Sequence, residues 1–279
     1  MTYKRYIQKF AWLLIVLNYV IQQSLPKLFP QPSMFREIFV RALLFAITFG
    51  IVYLISGRRV FSYFGKGTMG AFKALEAMIF PLFVLSVLLI VTYLHDGEHF
   101  AEGWQKQLLQ YTVLFFFVGL MEEMSYRVLV NDALLTSFNN KKHIFVFVAV
   151  FSALFFGFVH VRGSSLDSAI KVLNALLKVI SAGLIGTLFL LTFWAKRNIF
   201  GCMLVHMLYD LLPSIPKCLF EDMGTLNVEY VLDGELGKVS LVVYAIQILW
   251  ALHLLKSLWK KEGKNIDFAA LKKEYEVHS

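Results

Sequence analysis

Apolar runs long enough to cross a bilayer recur along the chain. They cover about Tyr6–Leu25, Phe35–Ser56, Ala74–Leu94, Leu108–Leu135, His143–Val161, Val179–Trp194, Ile199–Leu212 and Val239–Trp259. A hydrocarbon core needs roughly 20 apolar residues in a helix. Lipid offers no partner to an open backbone group, so such runs fold as helices rather than as open strands. The expected fold class is therefore all-α, a polytopic membrane helix bundle of about eight transmembrane helices. Composition agrees: of 279 residues, 58% are hydrophobic and 16% charged, where soluble domains average about 25% charged.

The links between the runs add detail. The first run has a basic front (Lys4, Arg5, Lys9) but no small-residue cleavage site after it. It reads as a retained span, weakened by Asn18, Gln22 and Gln23. Gly57–Lys73 is a basic, aromatic connector. Pro81 is expected to kink the third span, and Pro213 and Pro216 to stop the seventh at Leu212. Arg162–Lys178 is amphipathic, either interfacial or the start of a longer sixth span. Ser181, Ala182, Gly183 and Gly186 would let helices approach closely there. Lys217–Lys238 reads as an acidic loop, and Lys260–Ser279 as a solvated charged tail. No internal repeat divides the chain, so residues 1–279 are taken as one integral-membrane domain.

The net charge of +8 encodes orientation rather than nucleic-acid binding. With alternating spans and a cytoplasmic N-terminus, the basic links at Arg58–Lys73, Lys141–Lys142 and Lys196–Arg197 and the C-terminal lysines fall inside. The acidic loops at Asp96–Glu102 and Glu221–Glu235 fall outside. Both termini are expected to be cytoplasmic. Cys202 and Cys218 form neither a disulfide framework nor a metal spacing. His95 and His99 flank Asp96 and Glu98, which reads as an exposed polar loop before it reads as a metal site.

Three stretches carry chemistry. Glu122, Glu123 and Arg127 lie inside the fourth run, and a charge at bilayer depth costs about 2.5–3.5 kcal/mol on insertion scales. On one continuous helix Glu123 and Arg127 share a face at i,i+4, which lets them pair and leaves Glu122 facing elsewhere. His160 closes the fifth run one turn above Phe156. His206 and Asp210 share a face of the seventh run. A carboxylate and two imidazoles from three spans suit proton transfer or metal ligation. Other polar residues in the runs, such as Asn18, Thr112, Ser152, Asn174 and Thr187, look scattered. Glu122, His160 and His206 are therefore expected to share one water-accessible cavity, lined also by Asp210.

The order Glu122-Glu123-x-x-x-Arg127, Phe156-x-x-x-His160 and His206-x-x-x-Asp210 resembles the CAAX protease and bacteriocin-processing (CPBP, or Abi) family of intramembrane endopeptidases. Ser152-Ala153-Leu154-x-Phe156-Gly157, Gly183-x-x-Gly186-x-Leu188, Thr192 and Asn198-Ile199 extend the likeness, which covers about Tyr111–Leu212. It departs at Val128, where glycine is common, and at Asp210, where asparagine is commoner. The resemblance implies eight helices and hydrolysis of a peptide bond in a membrane-associated or peptide substrate. In its catalytic set, Glu122 activates water with His160, His206 and Asp210 polarise the carbonyl, and Glu123–Arg127 balance charge. A zinc on Glu122, His160 and His206 would make the enzyme a metalloprotease, and a metal-free glutamate mechanism uses the same residues. Bacterial relatives imply a bacterial cytoplasmic membrane, with peptide maturation or bacteriocin processing as the setting. Two other readings use the same residues: a catalytically silent binding or immunity protein of this fold, and an ion-coupled transporter. Lipid and a peptide are the expected partners, and the sequence sets no oligomeric state.

Overall fold

The computed structural model describes residues 9–221 and 229–276, which are helical and carry no strand. Lys4, Arg5, the start of the first run, the middle of the acidic loop and the last three residues lie outside the described residues. The helices are α1 Ala11–Ser24, α2 Met34–Ser56, α3 Thr68–Leu75, α4 Phe80–His95, α5 Trp104–Glu123, α6 Val130–Phe138, α7 Ile144–Val161, α8 Ala169–Lys196, α9 Phe200–Phe220, α10 Gly234–Lys261 and α11 Phe268–Lys273. Four are long and apolar enough to cross a membrane: α2, α7, α8 and α10. The segments Thr68–Met78 and Phe80–His95 make a fifth if counted together, bent by 57°. Of the expected spans, the first is a 14-residue helix and the third a 16-residue one.

The helices cluster into two compact units. One holds residues 13–125 and 198–226; the other holds 1–12, 126–197 and 227–279.

In the first unit α5 packs along α9 and α2, while α3 and α4 pack on α9. Tyr111, Leu114, Phe115 and Val118 of α5 meet Leu211 and Cys218 of α9 in one apolar cluster. The third span is bent by 57° just before Pro81, which sits in the first turn of α4, where its missing N–H costs nothing. Pro213 and Pro216 do not stop α9, which runs on to Phe220. Pro216 cannot donate to the Leu212 carbonyl, and the Ser86 hydroxyl of α4 donates to that oxygen instead. Part of the expected acidic loop is thereby helix. Asn18 is not scattered either. It accepts from Thr48 at 2.8 Å, while Gln22 donates to Ser125 at 2.8 Å, in a buried cluster tying α1 and α2 to the end of α5. The polar residues that weaken the first run are those that anchor it.

In the second unit α8 packs against α7 and α10, and α6 against α7. Small residues bring the first pair together, as expected. A Cβ on Gly157 would lie 2.4 Å from the Val179 carbonyl oxygen, and one on Gly183 would lie 3.0 Å from that of Ala153. The amphipathic stretch before Val179 is the first third of α8 rather than a separate interfacial segment.

The expected solvated tail is mostly folded. Asp267 caps α11 by accepting from the Ala270 N–H at 2.9 Å, and Ile266, Leu271 and Tyr275 are buried. The Tyr275 hydroxyl donates to Asp132 at 2.6 Å, Asn131 donates to both, and Trp194 donates to Asn131 at 2.7 Å. Buried Asp132 is thus satisfied by hydrogen bonds from the tail and its own neighbour. Salt bridges Lys196–Glu262 and Arg197–Glu274 fasten the same segment. Apolar residues spaced four and five apart through Ile266–Tyr275 carry this docking, a pattern masked by the charges around it.

Candidate active site

The site is built from the close approach of α5 and α9. Gly119 makes that approach possible: a Cβ there would stand 2.8 Å from the Met203 carbonyl oxygen and 3.6 Å from the His206 Cβ. Glu123 is one turn beyond Gly119 on the same face, so the contact that admits α9 also brings His206 to Glu123. The other end of α9 is set by Asn198, whose carboxamide oxygen accepts from the Gly201 N–H at 2.8 Å. Its amide donates to the Gly65 carbonyl at 3.0 Å and to Thr68 at 3.1 Å. Asn198 therefore fixes the start of α9 against α3 and its preceding turn.

His206 is the centre of the cluster. Its Nδ1 lies 2.8 Å from Glu123 Oε1, and a carboxylate can only accept, so this nitrogen carries a proton. Its Nε2 lies 3.6 Å from Glu122 Oε2 and 3.6 Å from Asp210 Oδ2. Glu123 is fully buried, whereas the Glu122 and Asp210 side chains keep 19% and 30% of their exposure. The cluster thus has a closed side, occupied by Glu123, and an open side where Glu122 and Asp210 face outward. Glu122 Oε2 is itself buried and makes no hydrogen bond with the described residues.

The second unit holds His160 and Arg127. His160 Nδ1 lies 2.7 Å from the Phe156 carbonyl oxygen, to which it must donate. Its ring meets Phe156 edge-on at 4.5 Å and packs at 5.4 Å from Tyr230. Arg127 is fully buried, with its guanidinium 4.1 Å from the centroid of the Phe156 ring and 5.8 Å from that of Phe189. Gly186 leaves it room: a Cβ there would come within 3.2 Å of Nη2. Phe156, one member of a sequence motif, thus carries both His160 and Arg127.

Glu122, Glu123, His206 and Asp210 are brought together within the first unit. His160 and Arg127 are placed within the second. A partner seen for Glu123 is His206, on the far stretch of the same unit. The helix from Glu123 to Arg127 is not continuous α: Met124–Leu129 is a π-helical turn, and the division between the units falls inside it. A π turn inserts one residue and frees a carbonyl. The Ser152 hydroxyl donates to Tyr126 O at 2.8 Å. Sequence reasoning passed over Gly119, although a lone glycine one turn before an acidic pair, in a run of Leu and Phe, is a readable sign of close helix packing. It also passed over Tyr230, which has no motif around it. His95 and His99 are exposed, as a polar loop implies. Among the described residues, no group of three or more His, Cys, Asp or Glu stands in metal-holding geometry.

Residues 104–212 match the family model described as type II CAAX prenyl endopeptidase, Rce1-like. This stretch spans α5 through the Asp210 turn of α9 and contains all six candidate residues. Over this stretch the chain is similar to the CAAX protease (CPBP) family. The bounds of the match begin seven residues before the resemblance read from the motifs and end at the same Leu212. No curated protein and no solved structure matched the chain.

Proposed function

We propose that the chain is an intramembrane endopeptidase that hydrolyses a peptide bond with a glutamate-activated water. The family match supports protease activity in general. The observation that carries the finer reading is the open-sided cluster of Glu122, His206 and Asp210, closed behind by Glu123.

Glu122 takes a proton from water as the oxygen adds to the scissile carbonyl, assisted by Nε2 of His160. The carbonyl oxygen becomes an oxyanion. His206 in its protonated form directs Nε2–H toward it, while Nδ1–H stays with Glu123. Asp210, one turn along α9, steadies that imidazolium. The C–N bond then breaks, and Glu122 returns its proton to the leaving amine. In this reading His160 completes the cavity with Glu122 and His206, and Arg127 balances charge near Glu123. The donor chemistry also suits zinc, since an imidazole whose Nδ1 is held by a carboxylate is a common ligand form. Glu122, His160 and His206 would hold the ion, which would supply Lewis acidity. The steps above need only the chain's own groups.

The reading extends to topology: eight crossings, with both termini on the cytoplasmic side of a bacterial membrane, and a lipid-associated peptide or protein as substrate. The test is reconstitution of the full chain with a panel of prenylated and unprenylated membrane peptides. Wild-type protein should cleave one of them, and Glu122→Gln should lose about 10²–10⁴-fold in rate with an unchanged melting temperature. Cleavage that survives Glu122→Gln would falsify the mechanism. Binding without cleavage by the wild type would favour the silent-binder reading.

A further inference from the structure

Three helices long and apolar enough to cross a membrane, α7, α8 and α10, enclose a groove of about 410 Å³ in the second unit. That volume is within the roughly 300–1,000 Å³ of small-ligand sites. Ala149 of α7, Leu190 and Leu191 of α8, and Leu252 and Leu255 of α10 form its walls. Thr187 also lines it, but its hydroxyl donates to the Gly183 carbonyl at 2.9 Å. The walls therefore suit hydrocarbon. The close contacts of α7 and α8 at Gly157 and Gly183 come earlier along α8, so the groove opens where they stop.

α8 and α10 run side by side in the same direction. Asn174 donates to the Gly237 carbonyl near their starts, and Lys196 pairs with Glu262 near their ends. The groove lies toward the ends, where Trp194 and Trp259 line it. Tryptophan rings near the ends of spans sit at the headgroup level of a bilayer. The Trp194 N–H donates to Asn131 at 2.7 Å, so this ring offers the groove its apolar surface. Ala149 is eleven residues before His160 on α7, about 16 Å along the helix. The groove is thus remote from the candidate histidine.

A cation interrupts these walls. Lys256 lines the groove, and Lys260 stands one turn further along the same face of α10. The carboxylates at this end are engaged by other cations: Glu262 by Lys196 at 2.6 Å, and Glu274 by Arg197 at 2.7 Å. Among the described residues, Lys256 and Lys260 pair with no acid. A lysine near the end of a span extends its ammonium toward the headgroups.

We propose that this groove binds an anionic phospholipid, with one acyl chain between α7, α8 and α10 and the phosphate on Lys256 and Lys260. Such a lipid presents hydrocarbon and negative charge in the order in which the groove meets them. Each ammonium supplies N–H donors to phosphate oxygens. A second copy of the chain lacks the complementary charge. Its α7 and α8 contain no Asp or Glu, and its α10 carries only Glu235, at the far end.

The site does not depend on the peptidase reading, and its test uses no peptide. Full-length protein is titrated with phosphatidylglycerol and with phosphatidylcholine of the same acyl chains, and bound lipid is counted by native mass spectrometry. Wild type should retain phosphatidylglycerol with a Kd at least about tenfold below that for phosphatidylcholine. Lys256→Gln with Lys260→Gln should bring the two values within about twofold, whereas Lys256→Arg with Lys260→Arg should keep them apart. Leu252→Trp, at the exposed rim, narrows the groove and should weaken phosphatidylglycerol binding about tenfold with both lysines in place. Ala149→Phe narrows it from the α7 wall and replaces Leu252→Trp if thermal unfolding shows that variant to be misfolded. Equal Kd for the two lipids in wild type overturns the site. Undiminished binding in a folded groove-filling variant overturns it too, since the lysines would then gather phosphate without the groove. A dimer that excludes lipid makes a second copy the occupant and overturns it as well.

Discussion

His206 and His160 both sit on apolar helices, but the two are held by opposite means. His206 is gripped through Nδ1 by a buried carboxylate, and its Nε2 faces two more carboxylate oxygens at 3.6 Å. His160 is gripped through Nδ1 by a backbone carbonyl of its own helix and is walled by Phe156 and Tyr230. The first environment sets the imidazole among carboxylate oxygens and the second sets it against aromatic rings. In the proposed mechanism the two are given different tasks, one opposite an oxyanion and one beside the attacking water.

The sharpest way to break this comparison is at Glu123. Glutamine there removes the charge and can present an amide N–H to Nδ1, which would turn His206 to the wrong tautomer. A comparable exchange in the Ser-His-Asp triad costs about 10⁴-fold in kcat with the geometry intact. Glu123→Gln is expected to lose on the order of 10²–10⁴-fold in kcat with a nearly unchanged melting temperature. The sequence alone suggests the other outcome, a loss of stability of about 3–5 kcal/mol from an uncompensated Arg127. Thermal unfolding and kinetics on the same preparation separate the two. No side-chain substitution can do the same to His160, whose Nδ1 partner is backbone.

These differences show what the sequence made legible. Helix positions followed from apolar runs, and the candidate residues followed from charges and imidazoles in lipid-like surroundings. Both are local properties. Glu123 illustrates where locality fails: spacing along α5 says nothing of His206, and the glycine contact with α9 brings the two together. Pro213 and Pro216 illustrate the same limit. Their cost to α9 depends on whether something else fills the open carbonyls, and Ser86 is far away in sequence. Tyr275 and Asp132 find each other across the length of the second unit, so a charged tail looked solvated when its buried face was two or three residues wide. Pairings of this kind depend on packing and leave no periodic trace.

Gly119 offers the next test, because it should disturb one histidine and not the other. An added methyl would meet the Met203 carbonyl at 2.8 Å and must push α9 away from α5. Overpacking of this kind costs about 1–3 kcal/mol. A displacement near 1 Å at the reacting groups can cost about 10²-fold in rate. Gly119→Ala is therefore expected to lower the melting temperature and reduce kcat by one to two orders of magnitude. An unchanged kcat in Gly119→Ala would mean that the close approach of α5 and α9 does not set how His206 meets Glu123.

The smallest expected effect lies at Asp167, in the link between α7 and α8. Ser165 donates to one of its oxygens at 2.6 Å, and Lys171 pairs with the other at 2.9 Å. These contacts hold its carboxyl below the usual value of 3.8, the hydroxyl contributing most. A depressed folded-state value means the unfolded chain binds the proton first, so the contribution to stability is present above about pH 4 and is lost as the pH falls through the folded value. The group is fully exposed, and solvent screens the pair. Asp167→Asn should therefore shift the melting temperature far less than Gly119→Ala does at neutral pH, and the difference from wild type should shrink as the pH falls through the depressed folded value.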